Sequence, residues 1–481
     1  TSFEKGEFDK LKNVSDAVTK TLENAGYDLS KLPKHWLLGF ALVESDWLAN
    51  KAAGTDAFRC NIEPFAAHMA EVGDQAIEAM KKMNIKVLEK ITLPKGFKAA
   101  GISAGLKKSG KPDMALIASD VPAAVAGTFT TNQVKAATVK LCQKRLAGRT
   151  GQAVIVNSGN ANACNGPQGI RDAEKMAALT AKLLGIEANY VFVSSTGRIG
   201  IRLPMNIIEA GIPKAAAALS PAGGDRAAEA IMTTDTRKKV CTIKINVDGK
   251  PVTITALCKG AGMIEPNMAT MLAYVLTDAN VNPKALQACL SDAVTHSFNR
   301  ITVDGDRSTN DTVLFFANGQ AGNRTLKPGH PAWPLFCEAV RSVTLNLALK
   351  IVQDGEGAGK FVTIRVRGAA SDADADIAAR SVANSLLVKT SWVGRHPYPN
   401  WGRVIDALGY SKARVVEERV DISYDNLPAC RRGVYTGTPI EQLKKVVRQP
   451  RFTLDIHLNL GKGEAVVYTC DCTEEYVRIN M

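Results

Sequence analysis

The chain of 481 residues is 46% hydrophobic and 22% charged, and no apolar stretch approaches the roughly 20 residues a membrane-spanning helix needs; this reads as a soluble globular chain without a membrane span. Its net charge of +13 is unevenly placed, because positions 1–90 carry 12 basic against 14 acidic residues and the whole surplus lies beyond them. With aromatics at 6% and no Lys/Arg runs interleaved with them, nucleic acid is argued against, which leaves small anionic substrates or an acidic partner surface.

Thr1 stands where an initiator Met would be, so removal of an organellar targeting segment is expected, with the mitochondrial matrix first and a plastid second. Positions 8–25 then place Phe8, Leu11, Val14, Val18 and Leu22 at helical spacing. Further helices are expected around Trp36 to Trp47 and Phe65 to Met83. Residues 1–90 thus read as a helical module, which either packs on the main body or docks a protein partner. From Ile91 the pattern changes to short apolar strands between Gly, Pro and Asn: Met114 to Ala118, Ala126 to Phe129, Ala153 to Val156 and Val191 to Val193. The fold class is α/β (α+β).

Asn157 to Gly166, NSGNANACNG, is rich in small residues that let the backbone approach a ligand or a neighbouring strand, and a helix is expected from about Arg171 to Leu184. In SSTGRIG, Ser194 to Gly200, a tight turn is expected to expose Thr196 and Gly197; a hydroxyl beside a backbone N–H suits an oxyanion hole, although as a lone motif the turn alone is the better reading. Thr233 and Thr234 open a TTDT segment for which a helix N-cap is the plain alternative.

Lys259 to Ala273, KGAGMIEPNMATMLA, sets a Pro266-Asn267 turn signal just before Ala269 and Thr270. A threonine after a small residue and a turn fits self-cleavage. Attack of Thr270 on the Ala269 carbonyl, then hydrolysis of the ester, would free an α-amine beside the same hydroxyl, a built-in general base.

A helix from Pro283 to Phe298 leads to the loop DGDRSTNDT, Asp304 to Thr312, which lacks calcium-loop spacing, and to a strand Val313 to Phe316. QDGEGAGKF, Gln353 to Phe361, fails as a phosphate loop because Asp354 stands where the first Gly belongs and Phe361 where Ser or Thr belongs. Glu356 within it is either a binder of a cationic amine or a surface loop acid, and the residues alone favour the loop acid. A helix Ile377 to Leu387 and strands near Val415, Phe452 to Leu458 and Ala465 to Thr469 follow. Ten scattered cysteines without a CxxC pair and six isolated histidines indicate neither a zinc site nor a disulfide framework.

Taken together, NSGNANAC (Asn157 to Cys164), STG-IG with LPM (Ser195 to Met205), KGAGMIEPNMATML (Lys259 to Leu272), VDGD-STNDT (Val303 to Thr312), QDGEGA-K (Gln353 to Lys360), NWGR (Asn400 to Arg403) and YTCD (Tyr468 to Asp471) resemble the ornithine acetyltransferase family, also called bifunctional glutamate N-acetyltransferase, of arginine biosynthesis. The resemblance covers about Ile91 to Met481. It implies a self-processing Thr-nucleophile fold with the helical module added at the N-terminus, an N-terminal half 91–269 and a C-terminal half 270–481 that begins at the nucleophile. It also implies cleavage between Ala269 and Thr270, Thr270 as acyl carrier, Thr196 and Gly197 as oxyanion hole, and substrate contacts from Thr233, Lys259, Thr270, Glu356 and Asn480.

The implied reaction is ping-pong, with acetyl passing from N2-acetylornithine to Thr270 and then to glutamate. The implied partners are these small amino acids and a second copy of the cleaved pair. No metal or bound cofactor is implied, and acetyl-CoA enters only as an alternative donor. The sequence departs from the family pattern at Arg198, Arg307 and Gly359, and two added cations are expected to change the pocket's shape and charge. A second expectation follows from them: a catalytically impaired, uncleaved homologue recruited as a structural subunit of an organellar complex. A related N-terminal-nucleophile amidohydrolase is the third.

Overall fold

In the computed structural model, residues 86–265, 271–394 and 397–481 are described. The chain divides into two units, Thr1–Asn84 and Ile85–Met481, and the described residues all belong to the second. The three helices expected within 1–90 lie outside the described residues, as do Pro266 to Thr270, which hold the expected cleavage site.

The centre of the second unit is the run Leu272–Thr277, buried at every position. Its alternation serves two cores at once: Ala273 and Val275 pack into one, and Leu272, Tyr274 and Leu276 into the other. A strand covered on both faces is the physical reason for an unbroken apolar run. Each fully buried Leu, Val or Phe of this kind contributes about 1.5–3 kcal/mol.

This strand, β8, belongs to a nine-stranded sheet with β1 (Lys86–Leu88), β2 (Phe97–Ile102), β3 (Met114–Phe129), β4 (Thr150–Asn160), β5 (Val191–Arg198), β6 (Lys239–Val247), β7 (Lys250–Lys259) and β9 (Thr312–Ala317). The order is β1-β6-β7-β8-β9-β3-β4-β5, with β2 beside β3. β8 runs antiparallel to β7 and parallel to β9, in register from Leu272↔Thr312 to Thr277↔Ala317.

Where the sequence suggests two strands, Met114 to Ala118 and Ala126 to Phe129, there is one of 16 residues. Its first half pairs with β2 and β4, and its second half with β9. The register shifts between Ala118 and Ala123, where Pro122 has no N–H to give a ladder. Across this irregularity the sheet faces itself: Phe97, Ile117, Val154 and Phe192 from one half share a core with Leu257, Leu272, Tyr274 and Phe316 from the other. Helices α1 (Ala137–Leu146), α2 (Gly166–Leu184) and α3 (Met205–Ala217) cover one outer face, while α5 (Pro283–Thr295) and α6 (Trp333–Gln353) cover the other; α4 (Gly224–Ala230) joins the inner core. The result is a four-layer stack of helix, sheet, sheet and helix, within the expected mixed α/β class.

A second sheet of six strands, ordered β13-β12-β11-β14-β10-β15, is built from β10 (Phe361–Ala369), β11 (Asp421–Tyr424), β12 (Leu427–Arg431), β13 (Val434–Tyr435), β14 (Arg451–His457) and β15 (Gly463–Cys470). It packs its apolar face on helices α7 (Asp372–Asn384), α8 (Leu386–Thr390), α9 (Trp401–Gly409) and α10 (Ile440–Val447).

Other boundaries differ from the reading above. α2 begins at Gly166 rather than near Arg171, since Pro167 suits the first turn of a helix, where no N–H is needed. The helix expected to reach Phe298 ends at Thr295, and a separate 3₁₀ turn covers Phe298–Arg300. Ser385 splits the helix expected from Ile377 to Leu387, capping the new segment through its hydroxyl on Val388 N–H. No strand forms near Val415; a 3₁₀ turn, Glu417–Arg419, leads from there to β11.

Candidate active site

One cleft of about 730 Å³ opens where strand ends of the nine-stranded sheet meet the loops before β9 and after α6. Thr196, Gly197, Thr233, Lys259, Glu356 and Asn480, which lie up to 284 positions apart in sequence, all line it. Thr270 and Ala269 lie outside the described residues, and the chain enters that gap at Glu265 and leaves it at Met271.

The Thr196–Gly197 pair is not the exposed turn expected from the sequence. It ends β5, with Thr196 buried and Gly197 exposed. The reason is pairing: β4 and β5 run parallel through Ser158↔Thr196 and Gly159↔Gly197, and the register slips at Asn160. Gly197 has φ +132°, and a Cβ there would lie 2.3 Å from the Gly159 carbonyl carbon, so only glycine fits. The small residues of NSGNANACNG therefore serve a close strand approach.

Its asparagines brace the same corner. Asn157 accepts from Ser195 Oγ at 2.6 Å and donates to Asn160 O, while Asn310 donates to Ser195 O at 2.7 Å and to Ala161 O. The Thr196 hydroxyl itself has no hydrogen-bond partner among the described residues, which leaves it free to donate into the cleft.

Lys259, the last residue of β7, is only 3% exposed. Burial lowers its pKa, opposed by Asp235, Glu356 and Asp311, while Lys239 adds to the lowering. Its ammonium makes no ion pair with a described residue. The neighbouring Lys239 differs: it is locked between Asp235 at 2.7 Å and Asp354 at 2.5 Å, with all three side chains buried. Burial alone would raise the Asp235 carboxyl, but Lys259 and Lys239, with the Gly260 N–H at 2.7 Å, outweigh it and hold it well below the usual carboxylate range.

Glu356, favoured as a surface loop acid on the residues alone, is in fact 9% exposed. The loop after α6 turns inward because Asp354 is drawn to Lys239, and Glu356 N–H then donates to Ala261 O at 2.9 Å. Its carboxylate accepts from Asn480 Nδ2 at 2.8 Å, and a Cβ on Gly262 would sit 2.4 Å from it. Thr233 does not cap a helix; its N–H donates to Asp235 Oδ2 at 3.0 Å in a local turn.

Both flanks of the undescribed segment are held by the loop between Thr302 and Thr312. Upstream, Met263 and Ile264 N–H donate to the two oxygens of Asp304 at 2.6 and 2.8 Å, and Thr302 Oγ1 donates to Ile264 O. Downstream, Met271 N–H donates to Asp311 Oδ1 at 3.1 Å, and Thr312 N–H to Met271 O. Of the two departing cations, Arg198 lines the cleft. Arg307 is directed to Glu265 at 3.6 Å, so it pairs with the flank and is not a lining residue of the cleft.

Sequence reasoning missed Asp235, Lys239, Asp354 and Asn310. The TTDT and QDGEGAGK motifs each contain one of the carboxylates, but only the fold brings Asp354 to Lys239, 115 positions away.

A cleft of small-molecule size, with Lys259 fixed at a strand end and Glu356 in the loop after α6, has the size and the convergent polar groups of a small-molecule site. Residues 98–481 match the ArgJ family. The chain is 50% identical over 392 residues to the arginine biosynthesis bifunctional protein ArgJ of Symbiobacterium thermophilum, covering 81% of this chain and 97% of that protein. It is 49% identical over 387 residues to the protein of the same name from Geobacter sulfurreducens, covering 80% and 98%. Among solved structures it is similar to the ornithine acetyltransferase of Mycobacterium tuberculosis complexed with ornithine, at 40% identity and a TM-score of 0.36, over 38% of this chain and 98% of that one. The chain belongs to the ArgJ family and is an enzyme.

Proposed function

We propose that the chain transfers acetyl in arginine biosynthesis, from N2-acetylornithine to glutamate, through an acetyl ester on Thr270 formed after self-cleavage at Ala269–Thr270. The observation that carries this reading is the convergence of six separate sequence positions on one cleft. The charges match the donor: Lys259, free of ion pairs among the described residues, suits the α-carboxylate, and Glu356, oriented by Asn480, suits the side-chain ammonium.

The steps balance without a cofactor. The Thr270 hydroxyl attacks the acetyl carbonyl while the Thr270 amine takes its proton; the Thr196 hydroxyl and Gly197 N–H stabilise the oxyanion. The C–N bond then breaks as the proton passes to the leaving nitrogen. Ornithine departs, and the amine of glutamate attacks the ester in the reverse sense, returning the proton to Thr270. Acetyl-CoA would enter only as another donor for the first half.

Intact mass of the purified protein is expected to give two fragments, 1–269 and 270–481, and Thr270→Ala is expected to abolish both cleavage and transfer from N2-acetylornithine to glutamate. A single intact chain in the wild type overturns the self-processing reading. Transfer by Thr270→Ala overturns the nucleophile assignment.

A further inference from the structure

Donor and acceptor make opposite demands on one place in the cleft. Ornithine and glutamate both react at the α-nitrogen and both bring an α-carboxylate, so an α-centre held by Lys259 sends both side chains on from the same point. One ends in an ammonium, the other in a carboxylate. Glu356 suits the first and repels the second, because two carboxylates in one site cannot both stay charged cheaply. Nor can Glu356 step aside: its carboxylate accepts from Asn480 Nδ2 at 2.8 Å, its N–H donates to Ala261 O at 2.9 Å, and a Cβ on Gly262 would lie 2.4 Å from its carboxyl.

The charge of the remaining lining supplies the alternative. Three cations, Lys107, Arg198 and Lys259, line the cleft against one carboxylate, Glu356. The stretch Pro266 to Thr270 has no acidic or basic side chain, so it does not alter that balance. Lys259 is taken by the α-carboxylate that both substrates share. Lys107 Nζ donates to Pro112 O at 2.7 Å and to Met232 O at 2.8 Å, and burial lowers its pKa against the pull of Asp113 and Asp235. Its ammonium is committed to the protein's own carbonyls.

Arg198 is placed differently. It is the last residue of β5, directly after Gly197, and it is exposed. Its backbone is fixed, since it pairs with Asn160 of β4 and its carbonyl accepts the Ala161 N–H at 3.0 Å. A planar guanidinium on such a base matches a carboxylate through two parallel N–H donors. We propose that Arg198 is the specificity-determining residue for the acceptor, receiving the side-chain carboxylate of glutamate while Glu356 serves the ammonium of ornithine. This rests on the acetyl transfer proposed above. Because Arg198 departs from the family pattern, its effect is on selectivity, and glutamate remains an acceptor without it.

Glutamine is the probe, since it keeps the shape of glutamate and lacks the side-chain charge. With N2-acetylornithine as donor, kcat/KM is measured for glutamate and for glutamine as acceptors in the wild type, Arg198→Val and Arg198→Lys. In Arg198→Val the value for glutamate is expected to fall about five- to tenfold, through KM, the size of one partly exposed charge-assisted contact. Glutamine should lose less, so the glutamate-to-glutamine ratio drops. Arg198→Lys keeps the charge without the fork and should lie between. An unchanged ratio in Arg198→Val, or a ratio as low in Arg198→Lys, overturns the proposal while leaving the transfer intact; a wild type that does not acetylate glutamate overturns both. Should Arg198→Val fail to fold, the wild-type ratio against ionic strength decides instead: it is expected to fall as salt rises, and a ratio independent of salt overturns the proposal.

Discussion

Gly197→Ala tests the oxyanion corner directly. The added Cβ would lie 2.3 Å from the Gly159 carbonyl carbon and 2.5 Å from Asn160 N, both paired backbone rather than a flexible side-chain end, at a φ of +132°. The strained backbone costs about 1–3 kcal/mol and the overpacking another 1–3 kcal/mol, so β4 and β5 must part at this point to relieve roughly 2–6 kcal/mol. Parting them moves the Gly197 N–H and the Thr196 hydroxyl away from the cleft. Loss of one such donor lowers kcat about 10²–10³-fold. Gly200→Ala is the control: it has φ +78° in the same segment, but its Cβ meets no atom within 4 Å. Steady-state kinetics on both variants, with circular dichroism to verify folding, should give a large fall in kcat for Gly197→Ala and KM within a few-fold. A fall of less than about tenfold, or an equal fall in Gly200→Ala, refutes the assignment of this strand end.

Lys239→Met leaves the buried Asp235 and Asp354 carboxylates without their shared cation, which is expected to cost about 3–5 kcal/mol in denaturant unfolding; adding Asp235→Asn and Asp354→Asn should recover part of it, and a loss below about 1 kcal/mol would refute the reading of this triad as a structural anchor. In the uncleaved Thr270→Ala chain, Asp311→Asn is expected to stabilise the fold at pH 7–8. The sign follows from a folded-state pKa raised above the unfolded value: the native carboxyl binds the extra proton, its contribution is present at low pH, and stability is lost as pH rises through the folded value. Asparagine does not titrate, so the thermal midpoint difference should grow from pH 4 to pH 8; a difference independent of pH would contradict it.

The residues named for the cleft follow from the family resemblance carried by seven short motifs; composition alone marks only the close backbone approaches around Asn157 to Gly166. On its local residues alone Glu356 reads as a surface loop acid, against the substrate contact that the resemblance implies, and the reason is physical. Its burial depends on Asp354 reaching Lys239, a long-range contact with no local periodicity. The same limit explains β3: the residues around Pro122 look like a break between strands, whereas the strand continues through the irregularity because β4 and β9 hold its two halves. Arg307 looked like an intrusion into the pocket, but its partner Glu265 lies on the flank. The absent strand near Val415 shows that β-branched residues alone do not make a strand without an edge to pair with.

β8 begins two residues after Thr270 and is laddered on both sides, to β7 and to β9, through the middle of the nine-stranded sheet. A cut at its entrance would therefore produce two polypeptides with no plane along which to come apart. Gel filtration in native buffer should see one particle before and after processing, and only denaturant should resolve the pieces. Refolding is another matter: the downstream piece supplies two central strands, β8 and β9, that the upstream piece cannot replace, so separated fragments must find each other before either can close its cores. If the proposed cleavage occurs, an enzyme built this way would be assembled once, as a single chain, and cut only after its strands were locked together.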